Sequence, residues 1–333
     1  MRQIPEDQAE AVLLRENAGD VFPWSLDGDY GAYPLHRGPA VWTRPCPARA
    51  VHAEALRQQG FRQVGEIDDN YLADGKHNVF LRSSGQNEET RLISLKALAA
   101  MDAMVFTTVL LRDMYWKAFK NYKFPIPELH VCGNHLFVDD WPEVVPSDGP
   151  LRVGWMGSSS HVWDVDTAWA SLLFASRNGC KTYMIGYDPA NPETEVTSHK
   201  AIEKREQWRK VGHEFVPWRK MSGTERLSLP LDIGLCPLRW DEFTAGKSDI
   251  KAVEYTISGA AVVASNHPVY SRNWVHGETA LLCGSDREMI DAVERLMRDE
   301  SLRSRLVENA RQYVREERNI VKHTDEWRAA IYG

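Results

Sequence analysis

Short apolar segments alternate with longer polar ones along residues 151 to 284, and this alternation constrains the fold more than any other feature. The apolar segments are rich in small and β-branched residues and have the length of buried parallel strands. Strands are predicted at 151–157, 181–187, 213–218, 232–238, 260–265 and 280–284, with helices between them at 162–177, 199–211, 222–229 and 248–258. A βαβ alternation of this kind predicts a doubly wound parallel sheet with helices on both faces.

The first half of the chain carries a weaker version of the same pattern. Strands are predicted there at 40–44, 62–68, 103–108 and 129–133, with helices at 48–59, 87–101 and 109–121. The Pro-rich, acidic stretch at 139–150 is typical of a linker, and two more helices at 286–299 and 301–316 precede a charged tail. We therefore predict an α/β protein of two Rossmann-like, doubly wound domains, residues 1–145 and 146–316, that face a central cleft. Residues 317–333 form a tail that is expected to pack back toward the first domain.

Composition excludes several classes of protein. A chain of 333 residues with 43% hydrophobic and 26% charged residues suits a globular protein of two domains. The net charge is -7, with -6 on residues 1–148 and -1 on residues 149–333, which disfavours nonspecific binding to nucleic acid. The five cysteines form no CxxC pair, and no apolar run reaches the roughly 18 residues of a membrane span. These features predict a cytoplasmic protein without stable membrane insertion.

The stretch FTAGKSDIKAVEYTISGAAVVASN at 243–266 reads as loop, helix, turn and strand. Ser248 is a suitable helix N-cap, Asp249 suits the first turn, and Gly259 suits the C-terminal stop.

Three charged residues of this helix are predicted to share one face. Lys247, Lys251 and Glu254 are spaced by four and three residues. Two ammonium groups beside a helix N-terminus form a site for a multiply charged anion, and the carboxylate one turn on can accept hydrogen bonds from hydroxyls such as those of a ribose. The alternative is a surface helix with ordinary ion pairs.

Two loops that follow predicted strands carry further candidates. In VGWMGSSSH, Gly157 lets the backbone approach a ligand, and the amide groups around Ser158 can bind phosphate oxygens, although such a turn is often only a turn. In EIDDNY, Asp68 and Asp69 stand where a strand ends and can bind sugar hydroxyls, hold a cation or act as a base. Capping of the following turn is the alternative for this pair, and His77 nearby is a weaker candidate.

The segment at 199–221 is strongly basic and contains two tryptophans. It is typical of a solvated helix face, and nucleic-acid binding is the alternative. Its end, FVPWRK, is a predicted strand terminus at the cleft, where Trp218 and Arg219 can meet a nucleobase.

Together these stretches resemble the retaining, nucleotide-sugar-dependent glycosyltransferases of the GT-B fold, specifically family 4. The similarity rests on VGWMGSSSH, DIGLCPL, the 243–266 stretch, PVY at 268–270 and VHGETALLC at 275–283, with a fainter match at RP (44–45), EIDDNY and AMVFTTVLL. Members of that family use an acidic pair eight positions apart, and Glu254 matches the second acid, which holds the donor ribose. Gly246 stands at the first position, as in a subgroup with a KSxxKxxE run.

The resemblance implies a role for each candidate. Lys247, Ser248 and Lys251 would bind the diphosphate, with the two lysines and Asp69 as catalytic residues. Gly157 and Ser158 would face the phosphates, with Trp218 and Arg219 beside the base. Asp68, Asp69 and His77 would contact the acceptor. No metal or other cofactor is expected, because lysines and helix amides can stabilise the leaving diphosphate.

Other functions remain open on the sequence. A sugar phosphorylase would need a longer chain with a pyridoxal-phosphate lysine, and a nucleotide-sugar epimerase would need more carboxylates around the sugar. A non-catalytic module of the same fold that binds nucleotide sugar or nucleic acid is a further alternative. The acceptor is undetermined: a polysaccharide, a metabolite, a protein or a hydroxymethylated base in DNA, which would have to be flipped into the cleft.

Overall fold

The structure is a computed structural model that describes residues 39–43, 55–73, 87–137, 144, 149–191, 199–217 and 229–333. Most of the helix predicted at 222–229, most of the linker predicted at 139–150 and the start of the helix predicted at 48–59 lie outside these residues. The described residues form two parallel β-sheets flanked by helices, which is the predicted α/β class. No helix in the described part of the chain is both long and apolar enough to cross a membrane.

The first sheet contains four parallel strands in the order β1-β2-β3-β4: Ala40–Thr43, Gln63–Ile67, Ala103–Phe106 and Glu128–Val131. Helices α1 (Glu88–Ala99) and α2 (Val109–Asn121) flank it. Asn87 starts α1 with a capping box, since its side chain accepts from the Thr90 amide at 2.9 Å and its own amide donates to the Thr90 hydroxyl at 2.8 Å. Thr108 caps α2 in a similar way, accepting from the Leu111 amide at 3.1 Å.

The second sheet contains six parallel strands in the order β10-β9-β8-β5-β6-β7. They are β5 (Arg152–Met156), β6 (Lys181–Ile185), β7 (Glu214–Val216), β8 (Ile233–Cys236), β9 (Ala261–Ser265) and β10 (Leu281–Cys283). The chain runs outward from β5 to β7 and then returns to the other side of β5 to form β8. The order therefore reverses between β5 and β8, and ligands of open α/β sheets bind at such a point, outside the carboxyl ends of the strands.

The helices of this second unit follow the predicted pattern. They are α3 (Val162–Arg177), α4 (His199–Arg209), α5 (Ile250–Ile257), the short α6 (Pro268–Ser271), α7 (Asp286–Arg298) and α8 (Glu300–Glu317). Strand β5 is buried on both faces, with Trp155 in one hydrophobic cluster and Met156 in the other. The chain leaves α5 through Gly259, whose φ of +82° lies in the left-handed region, so the predicted helix stop is confirmed.

The tail returns to the first sheet. After α8, which packs on α5 and β9, a 3₁₀ turn (Ile320–His323) leads into α9 (Thr324–Tyr332), which packs on β3 and β4. Backbone hydrogen bonds join the tail to the segment after β4: the Leu136 amide donates to the Arg318 carbonyl at 2.9 Å, and the Ile320 amide donates to the Leu136 carbonyl at 3.0 Å. The tail thus contacts both units of the fold.

Candidate functional site

Two loops meet across the cleft between the sheets. One follows β2 (residues 68–73), and the other follows β8 (residues 237–249). The side-chain amide of Asn70 donates to the Glu242 carbonyl at 2.9 Å, and the Lys247 ammonium lies 3.0 Å from Oδ1 of Asp69. The second loop lies at the order reversal of the second sheet, which makes this junction the candidate site.

Asp69 and Lys247 form an ion pair that joins residues 178 positions apart in the chain. Their side chains are 22% and 14% exposed, so the pair is largely shielded from water. The Lys247 ammonium also lies 4.5 Å from the centre of the Phe243 ring. Asp68 behaves differently, because it accepts a hydrogen bond from the Tyr71 hydroxyl at 3.1 Å within its own loop. Of the two adjacent acids, Asp69 therefore reaches across the cleft.

Gly246 lies in a tight contact between the two units. Its carbonyl accepts from the Thr108 hydroxyl at 3.1 Å. A Cβ on this residue would lie 2.7 Å from Cδ1 of Leu111 and 3.4 Å from Cβ of Asn70. The start of α2 thus fills the space next to this backbone position, and a carboxylate side chain would be forced into a buried apolar contact. This crowding is a physical reason for glycine at the position where the resembling family has an acid.

We expect Gly246→Glu to destabilise the protein by about 1 to 3 kcal/mol through overpacking, with an added cost for the buried charge. Gly246→Ala is the matched control and should cost less, because the end of the Leu111 side chain can move by a few tenths of an ångström. Thermal unfolding of the two variants measures this. Equal unfolding midpoints for Gly246→Glu and the unmodified protein would show that the contact is looser than described.

Lys251 lies in the first turn of α5, under the carboxyl end of β5. Its ammonium is 4.8 Å from the centre of the Trp155 ring, a cation–π contact. Burial lowers the pKa of Lys251, and the charge of nearby Lys247 lowers it further, while Glu254 one turn on opposes this shift. The charge of Lys247 thus disfavours the charged form of Lys251, and a multivalent anion bound between the two ammonium groups would relieve that repulsion.

His161 ends the 3₁₀ turn (Ser159–His161) that follows β5. Its Nδ1 lies 2.8 Å from Oδ2 of Asp164, and because a carboxylate accepts only, Nδ1 carries the proton. Burial, together with the charges of Lys251 and Lys247, lowers the pKa of His161 to about 4. The imidazole is therefore neutral at physiological pH, with Nε2 as an acceptor. It adds a polar group to the site without adding charge.

Asp164 ties the loops after β5 and β8 together. Its Oδ2 holds His161, and its Oδ1 accepts from the Arg239 amide at 2.9 Å. Burial raises the pKa of Asp164, but the hydrogen bonds from His161 and the Arg239 amide lower it by more, so this carboxyl stays ionised. Neither His161 nor Asp164 was assigned a role from the sequence. The sequence signal that could have identified this pair is a histidine three residues before an aspartate at the start of a predicted helix.

Gly157 and Ser158 lie where they were predicted, at the carboxyl end of β5. A Cβ on Gly157 would come within 2.3 Å of the Trp155 ring, so the residue must be glycine for the indole to lie here. Its amide donates to the Ile185 carbonyl at 2.9 Å. Ser158 is exposed, and its hydroxyl lies 2.7 Å from that of Ser160. Gly157 is thus held in the sheet, and the exposed part of this loop begins at Ser158.

The predicted N-cap of α5 was wrong by one residue. The helix begins at Ile250 with Asp249 at the cap position, and the Asp249 side chain caps none of the described helix amides. The Ser248 hydroxyl instead accepts from the side-chain amide of Asn134 at 2.7 Å. The Ser248 hydroxyl therefore bonds to the first unit, and the Asp249 carboxylate bonds to a charged partner outside the helix.

That partner is Arg318, at the start of the tail. Arg318 donates to both carboxylate oxygens of Asp249, at 2.7 and 2.8 Å, and the two side chains are 8% and 3% exposed. The Trp274 indole and the Asn273 amide also donate to Asp249, at 2.9 and 3.0 Å. Nη2 of Arg318, one of the two nitrogens that bind Asp249, also donates to the Asn134 carbonyl at 2.9 Å. This cluster fixes the start of α5, and with it Lys247 and Lys251.

The remaining candidates are less constrained. Glu254 lies on α5 and is partly buried. Its charge raises the pKa of Lys251, which agrees with the predicted position of Glu254 one helical turn after Lys251. His77, Trp218 and Arg219 lie outside the described residues, so their predicted roles stay predictions.

Comparison with known proteins identifies the fold. No protein-family model matches the chain, and no curated protein matches it. TarM of S. aureus superposes with a TM-score of 0.62 at 13% identity, over 87% of this chain and 54% of TarM. HepE of Anabaena, in complex with UDP-glucose, gives a TM-score of 0.64 at 12% identity over 87% of this chain and 78% of HepE. The chain has the GT-B fold.

A third structure extends this likeness. The sucrose-phosphate synthase of Thermosynechococcus elongatus superposes with a TM-score of 0.61 at 15% identity, over 87% of this chain and 73% of the synthase. The chain spans about half the length of TarM, at 54%. At these identities the likeness establishes the fold. The predicted GT-B architecture of two parallel-sheet units is therefore confirmed.

Proposed function

We propose that this GT-B protein is a glycosyltransferase. It would move a sugar from a nucleotide-diphosphate sugar, a UDP-sugar in the first instance, to an acceptor hydroxyl with retention of anomeric configuration. The observation that carries the proposal is the placement of Lys247 and Lys251 at the start of α5, beside the order reversal of the second sheet. UDP or UDP-glucose in the structures of TarM and HepE supports UDP as the nucleotide.

The two lysines would stabilise the leaving diphosphate. Negative charge grows on the phosphate oxygen as its bond to the sugar breaks, and preorganised cations in a shielded cleft stabilise this charge without reorganising. Lys247, at 14% side-chain exposure, and the partly buried Lys251 satisfy this condition. Because the protein supplies the positive charge, we propose transfer without a metal ion in this cleft.

Neutral and acidic groups around the lysines would position the sugar and the ribose. Glu254, on the same helix, would accept hydrogen bonds from the ribose hydroxyls. His161, held by Asp164 with Nε2 as acceptor, would bind a sugar hydroxyl. Asp69 enters from the first unit and would orient the acceptor hydroxyl. Retention would follow from front-face attack, in which the leaving phosphate oxygen takes the acceptor proton.

Glu254→Ala should weaken binding of the nucleotide sugar by about 10- to 100-fold, since it removes hydrogen bonds between a charged acceptor and the ribose. Calorimetric titration measures this, with Glu316→Ala as the matched control, because Glu316 is an exposed glutamate on a neighbouring helix. Unchanged donor affinity in Glu254→Ala would remove the ribose assignment.

Slow hydrolysis of the donor in the absence of acceptor tests the proposed reaction. NMR of the released sugar should show the donor's own anomer first, before mutarotation mixes the two. The opposite anomer would show inversion. Donor binding without hydrolysis or transfer would favour a non-catalytic binding module. A screen over glycans, metabolites, proteins and hydroxymethylated DNA would then identify the acceptor.

A further inference from the structure

Three potential metal ligands converge where the tail meets the first unit. His135 follows β4, His323 ends the 3₁₀ turn before α9, and Glu326 lies in the first turn of α9. One potential ligand atom from each lies within 4.8 Å of the other two. Their side chains are 8%, 23% and 38% exposed, so the cluster is largely buried. None of the three belongs to the candidate donor site.

The hydrogen bonds of His323 require either an additional proton or a metal ion in this cluster. Its Nε2 lies 2.9 Å from the Glu317 carbonyl oxygen, and its Nδ1 lies 2.8 Å from Oε1 of Glu326. Both oxygens accept only, whereas a neutral imidazole has a single N–H. If Nε2 donates to the carbonyl, the Nδ1 lone pair faces a carboxylate. Either a second proton or a metal ion must then lie between Nδ1 and Glu326.

His135 favours a metal ion over a proton. Its Nε2 lies 3.6 Å from Oε2 of Glu326, which is too long for a hydrogen bond. Two ligand atoms on a tetrahedral zinc ion with bonds of about 2.0 to 2.1 Å are about 3.3 Å apart, close to this separation. A proton bridges two atoms, whereas a metal ion gathers three. We propose that His135, His323 and Glu326 bind a divalent transition-metal ion, zinc in the first instance.

Three features of the surroundings fit such a site, and a fourth shows that the two rings must change orientation to form it. The Glu317 carbonyl fixes the tautomer of His323 that presents Nδ1, as carbonyls do behind many metal-bound histidines. A Cβ on Gly133 would lie 2.8 Å from Nε2 of His135, so glycine keeps that ligand atom accessible. The two imidazole rings are stacked, with centres 3.6 Å apart. Since imidazole binds a metal in its ring plane, the rings must tilt apart when they share the ion. Two nitrogens and one carboxylate favour zinc over magnesium or calcium.

The ion would fasten the tail to the first unit. Asn134 directly precedes His135. Its carbonyl accepts a hydrogen bond from Arg318, and its side-chain amide donates to the Ser248 hydroxyl. Metal binding at His135 therefore holds the segment that also supports the start of α5. The site is structural and contributes no group to the proposed transfer.

Zinc titration of the untagged 333-residue chain tests the proposal, after treatment with a chelator and its removal. Calorimetry should show one equivalent bound with a Kd of about 1 µM or below. Cobalt should bind at the same stoichiometry and give the visible absorption of a tetrahedral nitrogen–oxygen site. Zinc should also raise the unfolding temperature, because it binds the folded state.

Glu326→Gln should weaken zinc binding by at least about tenfold. Asp325→Asn is the matched control, since its side chain is 94% exposed in the same helical turn, and it should leave the affinity unchanged. His323→Asn should also lose zinc binding. If that variant does not fold, Glu326→Gln tests the proposal alone, because the Glu326 side chain is partly exposed and its replacement should be tolerated. No saturable binding, or equal affinity in Glu326→Gln, would overturn the proposal and leave a protonated His323 as the partner of Glu326.

Discussion

Replacing Arg318 with alanine should lower the free energy of unfolding by about 3 to 5 kcal/mol. The change leaves the Asp249 carboxylate, 3% exposed, without its cation, and an uncompensated buried charge is costly. The remaining donors to Asp249, from Trp274 and Asn273, are neutral and cannot replace the guanidinium. The tail and the start of α5 should loosen together, because Arg318 also holds the Asn134 carbonyl.

Denaturant unfolding followed by tryptophan fluorescence measures this loss. Arg315→Ala is the matched control: it removes an exposed arginine from the preceding turn and should change stability by less than about 0.5 kcal/mol. Equal stabilities for the two variants would contradict the buried-pair account.

The same ion pair sets a dependence on pH. Burial raises the pKa of Asp249, and the charge and hydrogen bonds of Arg318 lower it by more, so its pKa is below the usual carboxyl value. The stabilisation is therefore complete above the unfolded-state pKa of about 3.9 and is lost as the pH falls through the lower folded-state value. The difference in stability between the unmodified protein and the charge-free Asp249→Asn/Arg318→Met double variant should shrink over that acidic range. A difference in stability that stays constant over this pH range would show that packing, and not the ion pair, provides the stabilisation.

Replacing Lys247 with alanine should lower turnover by about 100-fold, with a much smaller loss of donor affinity. Lys247 is paired with Asp69 at 3.0 Å, so part of its interaction with a donor would replace an existing one. Its contribution is greatest when the leaving diphosphate gains charge, which is a transition-state effect.

Donor titration and steady-state kinetics separate these two quantities. Lys181→Ala, an exposed lysine at the start of β6, is the control for lost positive charge. Equal losses in turnover and in affinity for Lys247→Ala would indicate ground-state binding alone. A double variant with Asp69→Asn would then show how far the two residues act as a pair, since residues in contact are not additive.

The strands and helices of the second unit were predictable because each depends on local pattern. Strand β9 shows a β-branched, apolar run bounded by Gly259 and Asn266, and α3 matches its predicted bounds at Val162 and Arg177. These signals reside in neighbouring residues, and buried parallel strands need little more. The predicted architecture of two parallel-sheet domains rested on them, and its assignment as GT-B rested on the resemblance to a known family.

The failures and omissions come from contacts between distant residues. Ser248 has the side chain of a good N-cap, yet its hydroxyl accepts a hydrogen bond from Asn134 of the first unit. The Asp249 carboxylate is likewise bound by Arg318. The pair of Asp69 and Lys247 joins two units, so no local pattern shows which of the two adjacent acids takes part. The packing of Leu111 against Gly246 is equally nonlocal, and it accounts for the position where the chain departs from the resembling family.

Calorimetric titration with UDP-, GDP-, ADP- and TDP-sugars, in the presence of a chelator, shows whether Lys247, Lys251 and Glu254 form a donor site. We expect one of these donors, a UDP-sugar in the first instance, to bind at one site with a Kd of about 1 to 100 µM, and Lys251→Ala to weaken this binding. Saturable binding under chelation would also support transfer without a metal in the cleft. If none of the four donors binds, the cluster of Lys247, Lys251 and Glu254 is not a donor site, and the proposed function is wrong.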